Sequence, residues 1–228
     1  MFFKDLLFPK LCLGCNTLGS YICLKCQEKL RLTYKDICIY CQKSSYMGLT
    51  HMICKKTLGI DGAIGFYPYS GILQKVIKHI KYRGATDVWR EFCQIIQPKI
   101  YEKLLFYKQL VQNGLVQPVP LHSAKMKIRG FNQSLLISNF FNVILKFPVV
   151  DYFIRVKNTL PQASLYNKKK RYLNMKSAFM FTQEIPLKGE TLVIIDDVIT
   201  SGSTIFELCK AIKKCGAEKV FTLALARG

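Results

Sequence analysis

Apolar and polar positions repeat along this chain with two periods, one typical of helices and one typical of strands. Apolar residues from Ile72 to Ile80 recur at helical spacing with lysines on the opposite face, which predicts an amphipathic helix. Helical patterns also cover about residues 87–108, 135–145 and 205–212. The runs LVQPVPL, VVDYFIRV, TLVIIDD and VFTLALA predict strands, and the missing alternation in TLVIIDD is typical of a strand buried on both faces.

Strands that alternate with helices in this way predict an α/β fold. We expect a mainly parallel sheet with helices on both faces over residues 59–228. The strand-like run IDGAIGFYPYS begins near Gly59, where the cysteines stop, so residues 1–58 are predicted to form a separate small module. The segment HSAKMKIRGFNQS, residues 122–134, is expected to be a loop rich in cations.

Cysteines dominate the predicted N-terminal module, because seven of the ten lie before residue 55. A CxxC pair in a tight turn places two thiolates on one side of a tetrahedral ion, and two such pairs complete a structural zinc site. A disulfide framework is disfavoured for three CxxC pairs in a chain expected to be intracellular. The first two pairs therefore predict a zinc site with the ligands Cys12, Cys15, Cys23 and Cys26.

A second zinc site is predicted after the first, although this set has one cysteine fewer. His51 precedes Cys54 by three residues and can replace the missing thiolate. Ligand pairs that cross between the two sets remain an alternative. The predicted ligands of the second site are Cys38, Cys41, His51 and Cys54.

The charge of the chain is strongly positive, with 34 Lys and Arg against 14 Asp and Glu, which gives +20. A field of this sign favours nucleic acid, phosphorylated metabolites or an anionic membrane surface. No secretory signal is visible, and no apolar stretch reaches the roughly 20 residues that a membrane span needs. We therefore expect a cytoplasmic protein.

Two adjacent acids, Asp196 and Asp197, end the run TLVIIDD. Ligands of parallel α/β sheets bind beyond the carboxyl ends of the strands, so the pair is a candidate site. Neighbouring residues of a regular strand point to opposite faces. We expect the strand to curl into a loop here, so that both carboxylates face one ligand.

Five small polar residues, Thr200 to Thr204, follow the acids and lead into a helix predicted to begin near Thr204. Amide groups at a helix N-terminus together with these hydroxyls form an anion cradle. The acids and the cradle together predict a ligand with a phosphate beside vicinal hydroxyls or hydrated Mg²⁺. A ribose 5-phosphate fits, whereas a Walker A loop is excluded because G-K-[ST] is missing.

The stretch VIIDDVITSGSTI resembles the 5-phosphoribosyl-pyrophosphate (PRPP) signature of type I phosphoribosyltransferases. The resemblance implies that the acids hold the ribose hydroxyls and that the cradle holds the 5-phosphate. Thr200 stands where purine-salvage enzymes of this class carry an acid, so no catalytic residue is assigned. The implied binding residues are Asp196, Asp197, Thr200, Ser201, Gly202, Ser203 and Thr204.

Nearly the full length of the chain resembles the ComF family, which is linked to DNA uptake in natural transformation. That resemblance rests on VPLH, RGFNQS, a TxxQxxL-like segment from Thr159 to Leu165, and RYLNMKSAF. It implies a double zinc ribbon followed by a type I phosphoribosyltransferase-like domain. The family often ends its ribbon with a further CxxC, and here Thr57 replaces the last cysteine, which makes His51 the substitute ligand or removes the second zinc.

Three functions follow from this resemblance. The first is handling of single-stranded DNA during uptake, beside a PRPP site and with competence proteins such as a helicase as partners. The second is an active phosphoribosyltransferase that uses PRPP with Mg²⁺ and an unknown acceptor, and the third is a PRPP-responsive regulator. The sequence leaves open whether the chain is an enzyme. Candidate residues for pyrophosphate or DNA phosphates are Lys125, Lys127, Arg129, Lys168, Lys169, Lys170 and Arg171.

Overall fold

The structure is a computed structural model that describes residues 9–83, 86–158 and 175–228. Its strands are β1 (Gly62–Pro68), β2 (Gly114–Pro118), β3 (Phe153–Arg155), β4 (Phe179–Phe181), β5 (Thr191–Ile199) and β6 (Lys219–Arg227). Its helices within the described ranges are α1 (Leu24–Gln27), α2 (Gly71–Arg83), α3 (Thr86–Gln94), α4 (Pro98–Val111), α5 (Ser123–Arg129), α6 (Gln133–Leu145) and α7 (Ser203–Lys214).

A parallel sheet of four strands in the order β1-β6-β5-β2 forms the centre of the fold. Its strands are buried on both faces, because helices cover each side. Val193 and Ile195 of β5 belong to the core cluster that contains residues of α2, α3, α4 and α6. Leu192 and Ile194 belong to the cluster that contains residues of α7, as the alternation along a strand requires. The predicted α/β fold with a mainly parallel sheet is confirmed.

Two predicted elements differ in extent from the sequence prediction. The helical pattern over residues 87–108 is divided between α3 and α4, and Pro98 occupies the first turn of α4, where its missing N–H costs nothing. VVDYFIRV begins beside β2, where Val149 forms a parallel bridge to Val116, and then contributes β3, which pairs antiparallel with β4. The predicted strand is therefore present, but it is short and most of its pairing lies outside the central sheet.

The cation-rich segment after β2 is a helix, not the expected loop. His122 caps the N-terminus of α5, since its Nδ1 accepts a hydrogen bond from the backbone N–H of Ala124 at 3.2 Å. Gly130 ends the helix in the left-handed region, with φ 78°. The two caps stabilise a helix of seven residues that its lysine-rich sequence does not reveal.

The cysteine-rich segment covers the open edge of β1. The Thr33 backbone N–H donates to the Phe66 carbonyl at 2.8 Å, and its hydroxyl donates to the Gly65 carbonyl at 2.9 Å. Cys12 and Cys26 are buried in the core cluster that includes residues of α2. The segment therefore shares a core with the sheet and protects a strand edge from pairing with other chains. The boundary near Gly59 stays a prediction.

No helix within residues 9–83, 86–158 and 175–228 combines the length and the apolar character that a membrane crossing requires.

Candidate functional site

The acid pair lies inside β5, because the strand continues past it to Ile199. Pairing with β6 extends from Thr191↔Lys219 to Ile199↔Arg227, and Asp196 is opposite Ala224. The expected curl into a loop at Asp196 was therefore wrong. Both carboxylates nevertheless line one cavity of about 270 Å³ at the carboxyl edge of the sheet.

Each acid has its own neighbours. Asp196 accepts hydrogen bonds from the Ser134 hydroxyl at 3.1 Å and from the Asp197 backbone N–H at 2.9 Å. Asp197 forms an ion pair with Lys81 at the far end of α2. The two carboxylates are thus held by groups from α6 and α2, elements that are distant from β5 in the sequence.

Burial, and to a smaller extent the adjacent charge of Asp197, raises the pKa of Asp196 to about 7, although Lys81 works in the opposite direction. Burial also disfavours the charged form of Lys81. The Asp197 carboxylate outweighs this effect and keeps the pKa of Lys81 above its ordinary value. The floor of the cavity therefore holds one firm ion pair and one carboxyl group that titrates near neutrality.

The cradle after the acids has the geometry of an anion site. Gly202 caps α7 in the left-handed region, with φ 75°, and α7 begins at Ser203. A Cβ on Gly202 would come within 2.6 Å of the Phe206 ring, so both the backbone angle and the space require glycine. The Ser201 and Ser203 hydroxyls lie 2.9 Å apart. The first N–H groups of α7 and these hydroxyls line the same cavity as the acids.

Cations from three further elements also line the cavity. Burial, followed by the neighbouring charges of Arg155, Arg129 and Lys81, lowers the pKa of Lys125 to about 8. Burial likewise lowers the pKa of Arg155. An anionic ligand would relieve this crowding of positive charge. The cations are Lys78 and Lys81 of α2, Lys125 and Arg129 of α5, and Arg155 of β3.

The structure brings most of the sequence-predicted residues together. The acid pair, the whole cradle from Thr200 to Thr204, Lys125 and Arg129 line the one cavity. Lys127 is exposed on α5 and is absent from the residues that line the cavity. Lys168, Lys169, Lys170 and Arg171 lie outside the described residues.

Sequence reasoning missed Lys78, Lys81, Ser134 and Arg155. In the sequence the two lysines are only the polar face of an amphipathic helix, and Arg155 belongs to a run that predicts an ordinary strand. No local signal marks them, because their place at the cavity depends on how α2, β3 and α6 pack around β5.

The cysteine-rich segment gathers two groups of potential metal ligands. In each group the ligand atoms all lie within 4.8 Å of one another. Each group begins with a hairpin that holds a CxxC pair, closed by the bridges Leu11↔Leu18 and Ile37↔Ser44. The groups are Cys12, Cys15, Cys23 and Cys26, and Cys38, Cys41, His51 and Cys54, with no crossing between them.

His51 presents one ring nitrogen to its group and the other to the backbone. Nδ1 lies 3.3 Å from the Cys41 sulfur, and Nε2 lies 3.0 Å from the Ser44 carbonyl oxygen. Donation from Nε2–H to that carbonyl fixes the tautomer that leaves the Nδ1 lone pair for a metal ion. His51 therefore has the geometry of a ligand in place of the cysteine that is missing at Thr57.

The thiols of the first group are unequal. A hydrogen bond from the Thr17 hydroxyl lowers the pKa of Cys15 to about 6. Burial and the neighbouring sulfurs together raise the pKa of Cys26 to about 12. A cation such as Zn²⁺ allows four sulfurs at this spacing to be thiolates together, so the donor set fits a structural metal ion.

Known proteins resemble the chain over most of its length. Competence protein F of Haemophilus influenzae is 26% identical over 227 residues, which cover 91% of this chain and 97% of that protein. Competence protein ComFC of Streptococcus pneumoniae is 21% identical over 211 residues, covering 91% and 88%. DNA utilization protein YhgH of Salmonella typhi is 37% identical over 239 residues, covering 90% and 96%. The chain belongs to the ComF family.

Within this ComF-family chain, the Phosphoribosyl transferase domain family matches residues 147–228, which include the acid pair and the cradle. A purine phosphoribosyltransferase from Pyrococcus horikoshii Ot3 aligns with a TM-score of 0.32 and 21% identity, over 57% of this chain and 69% of that one. A TM-score this low indicates nothing about function. The combination of a phosphoribosyltransferase-like domain with cysteine-rich metal groups agrees with the resemblance noted in the sequence.

Proposed function

We propose that this ComF-family protein binds a phosphoribosyl compound, PRPP in the first instance, and acts in DNA uptake and utilization by handling single-stranded DNA. The observation that carries the ligand assignment is the single cavity that combines a carboxylate pair, a helix N-terminus with hydroxyls, and a cluster of cations. A sugar with a phosphate at one end and a pyrophosphate at the other offers a partner for each of the three.

The 5-phosphate would lie in the cradle from Thr200 to Thr204, where N–H groups and hydroxyls donate to its oxygens. Asp196 and Asp197 would accept hydrogen bonds from the ribose hydroxyls. The pyrophosphate would face Lys125, Arg129 and Arg155, whose mutual repulsion it relieves. Mg²⁺, which accompanies PRPP, supplies further neutralisation of the pyrophosphate charge.

The DNA role rests on two supports. The relatives that match over most of the chain are named competence or DNA utilization proteins. The net charge of +20 suits a polyanion, and phosphate contacts by Lys and Arg would make the affinity fall steeply with salt. We place the protein with other competence proteins, such as a helicase, in the cytoplasm.

Zn²⁺ would occupy both cysteine groups as a structural ion. Cys12, Cys15, Cys23 and Cys26 would hold the first ion, and Cys38, Cys41, His51 and Cys54 the second. Neither set leaves a position open for a substrate, so each ion would stabilise the fold and take no part in chemistry.

A thermal-shift experiment with and without Mg²⁺ tests the ligand assignment. PRPP at 1 mM with a dissociation constant of ~10 μM should stabilise the protein by ~2.7 kcal/mol. That corresponds to a rise of roughly 5–10 °C in the unfolding midpoint for a chain of this size. The double variant Asp196→Asn and Asp197→Asn keeps the shape of both side chains and should lose most of the shift. An equal shift in both proteins would overturn the assignment.

Phosphoribosyl transfer is the second candidate, favoured by the match of residues 147–228 to the transferase domain. An acceptor would attack C1 of PRPP, the bond from C1 to the pyrophosphate oxygen would break, and the acceptor proton would pass to solvent. The cations that line the cavity would stabilise the leaving pyrophosphate. Release of pyrophosphate only when an acceptor is present would establish this activity.

A further inference from the structure

Long stretches of the chain contain no acidic residue, and the fold brings three of them side by side. No Asp or Glu occurs from residue 9 to 27, from 62 to 86, or from 103 to 150. The first stretch carries the first cysteine group, the second carries α2, and the third carries α5. Positive charge on these three elements is therefore not offset by acids of the same stretches.

Helix α2 connects the first cysteine group to the cavity. Near its start, the Lys75 ammonium lies 3.4 Å from the carbonyl oxygen of Gly14, inside the first CxxC turn. One turn further on, the His79 ring lies 6.3 Å from the Tyr21 ring of the same cysteine-rich segment. Lys78 and Lys81 reach the cavity. The exposed side of α2 therefore runs from the cysteine group to the cavity mouth.

Helix α5 continues this surface on the other side of the mouth, since it contacts α2. Lys125 and Arg129, four residues apart, line the cavity. Lys127 lies on the outer side of α5 and is exposed. At the opposite end, the Lys10 ammonium lies 5.7 Å from the centre of the Tyr21 ring. The resulting basic strip consists of Lys10, Lys75, Lys78, Lys81, Lys125, Lys127 and Arg129.

Some lysines outside the strip are neutralised by a nearby acid, in contrast to the outer lysines of the strip. Lys103 pairs with Asp36 at 2.6 Å, and Lys213 pairs with Asp61 at 2.9 Å. Among the described residues, Lys75, Lys78 and Lys127 form no ion pair. The strip therefore keeps its positive field toward solvent, which is the electrostatic footprint of a polyanion site.

We propose that the basic strip binds a single strand of nucleic acid through its phosphates and leads that strand to the mouth of the cavity. The inference rests on the proposed role in handling single-stranded DNA and names the surface that performs it. The strip follows one helix, about 10 Å wide, and continues onto a second, so it suits one backbone better than a duplex. Contacts of lysine and arginine to phosphates position a strand without reading its bases, so the binding should be independent of sequence.

The experiment compares two double variants that each remove two positive charges. Lys75→Gln with Lys127→Gln alters the strip outside the cavity, since neither residue lines it. The matched control, Lys99→Gln with Lys188→Gln, alters exposed lysines of α4 and of the loop before β5. Fluorescence anisotropy with a labelled oligothymidylate of about 20 nucleotides, measured over a range of NaCl concentrations, gives the affinity and its salt slope.

Each phosphate contact to a single strand contributes about −0.7 to the slope of log K against log salt. The strip variant should lower the magnitude of the slope by about 1.4 and weaken binding at 0.1 M NaCl by roughly 25-fold. The control variant should change affinity by less than about 3-fold, because remote charges are screened beyond about 10 Å. Stabilisation by PRPP should be the same in the strip variant as in the wild type.

The failures of the two proposals are distinguishable. If the wild type does not bind the oligonucleotide at all, the proposed DNA role fails. If the wild type binds and both double variants weaken binding equally, net charge alone is responsible and the strip is overturned. A duplex that binds as tightly as the single strand would also overturn the inference. Equal unfolding midpoints of the two variants exclude a folding defect as the cause.

Discussion

The cysteine-rich segment and the cavity both gather charged groups, but they balance those groups in opposite ways. In each cysteine group, three or four thiols converge with all ligand atoms within 4.8 Å of one another, and a cation would balance their thiolate charge. In the cavity, Asp197 is already paired with Lys81, and the raised pKa of Asp196 keeps that group partly protonated. The cysteine groups thus need a cation to balance their charge, whereas the cavity balances part of its charge within the protein.

Removal of zinc should have the largest effect in this comparison. A structural zinc ion contributes on the order of 10 kcal/mol to the folding of a small module. Chelation should release two zinc ions per chain and abolish cooperative unfolding of residues 9–58, as measured by metal analysis and hydrogen exchange. Zn²⁺ but not Mg²⁺ should restore the protein. Unchanged exchange rates after chelation would show that the cysteine-rich segment does not depend on a metal ion, in contradiction to this comparison.

Asp196→Asn should stabilise the protein, because the folded state holds this carboxyl with a pKa of about 7, above its unfolded value. For such a group the folded state binds more protons between about pH 4 and pH 7, so wild-type stability falls as pH rises through this window. The variant does not lose stability in this window, because its amide does not ionise. Above pH 7 it should be more stable by on the order of 3–4 kcal/mol, with no difference below about pH 4. Urea titrations at pH 4, 6 and 8 measure this, and a constant difference would refute the explanation.

Lys81→Met should destabilise the protein, because it leaves the largely buried Asp197 carboxylate without its partner. The expected loss is about 3 kcal/mol at pH 7. The double variant Lys81→Met with Asp197→Leu removes both charges and should recover most of it. Urea unfolding of the three proteins measures the coupling. A double variant no better than the single one would show that the pair is unimportant to the stability of the cavity.

His51→Cys should have the smallest effect, since it replaces one zinc ligand by another. The variant should retain two zinc ions per chain, with a stability change below about 1 kcal/mol. His51→Ala serves as the contrast and should bind one ion fewer. Metal analysis after dialysis distinguishes them. Two ions bound to the alanine variant would remove His51 from the second group.

The sequence was sufficient for the features that depend on local pattern. The CxxC spacing identified two sets of ligands that the structure gathers, and alternation with helices predicted the parallel sheet. The length of β5 was not predictable from its own sequence, because its last residues are held by β6. Val198 pairs with Ala226, and Ile199 pairs with Arg227. Helix α5 was missed because it is stabilised by a histidine cap at its start and a glycine at its end. Neither residue contributes to a helical pattern of apolar positions.

Contacts between polar residues that tertiary packing brings together could not be predicted from the sequence. Lys81 is 116 residues from its partner, Asp197, and Ser134 is 62 residues from Asp196. Neither contact follows from the pattern of its own element. The candidate site could therefore be located from the sequence, while its internal balance of charge required the fold.

Helix α2 contacts the first cysteine group through Lys75 and contributes Lys78 and Lys81 to the cavity. The same helix therefore contacts both candidate sites. Loss of the ion proposed for the first cysteine group should therefore also lower the affinity of the cavity for its proposed phosphoribosyl ligand. The proposed metal site and the cavity would then be coupled through one helix.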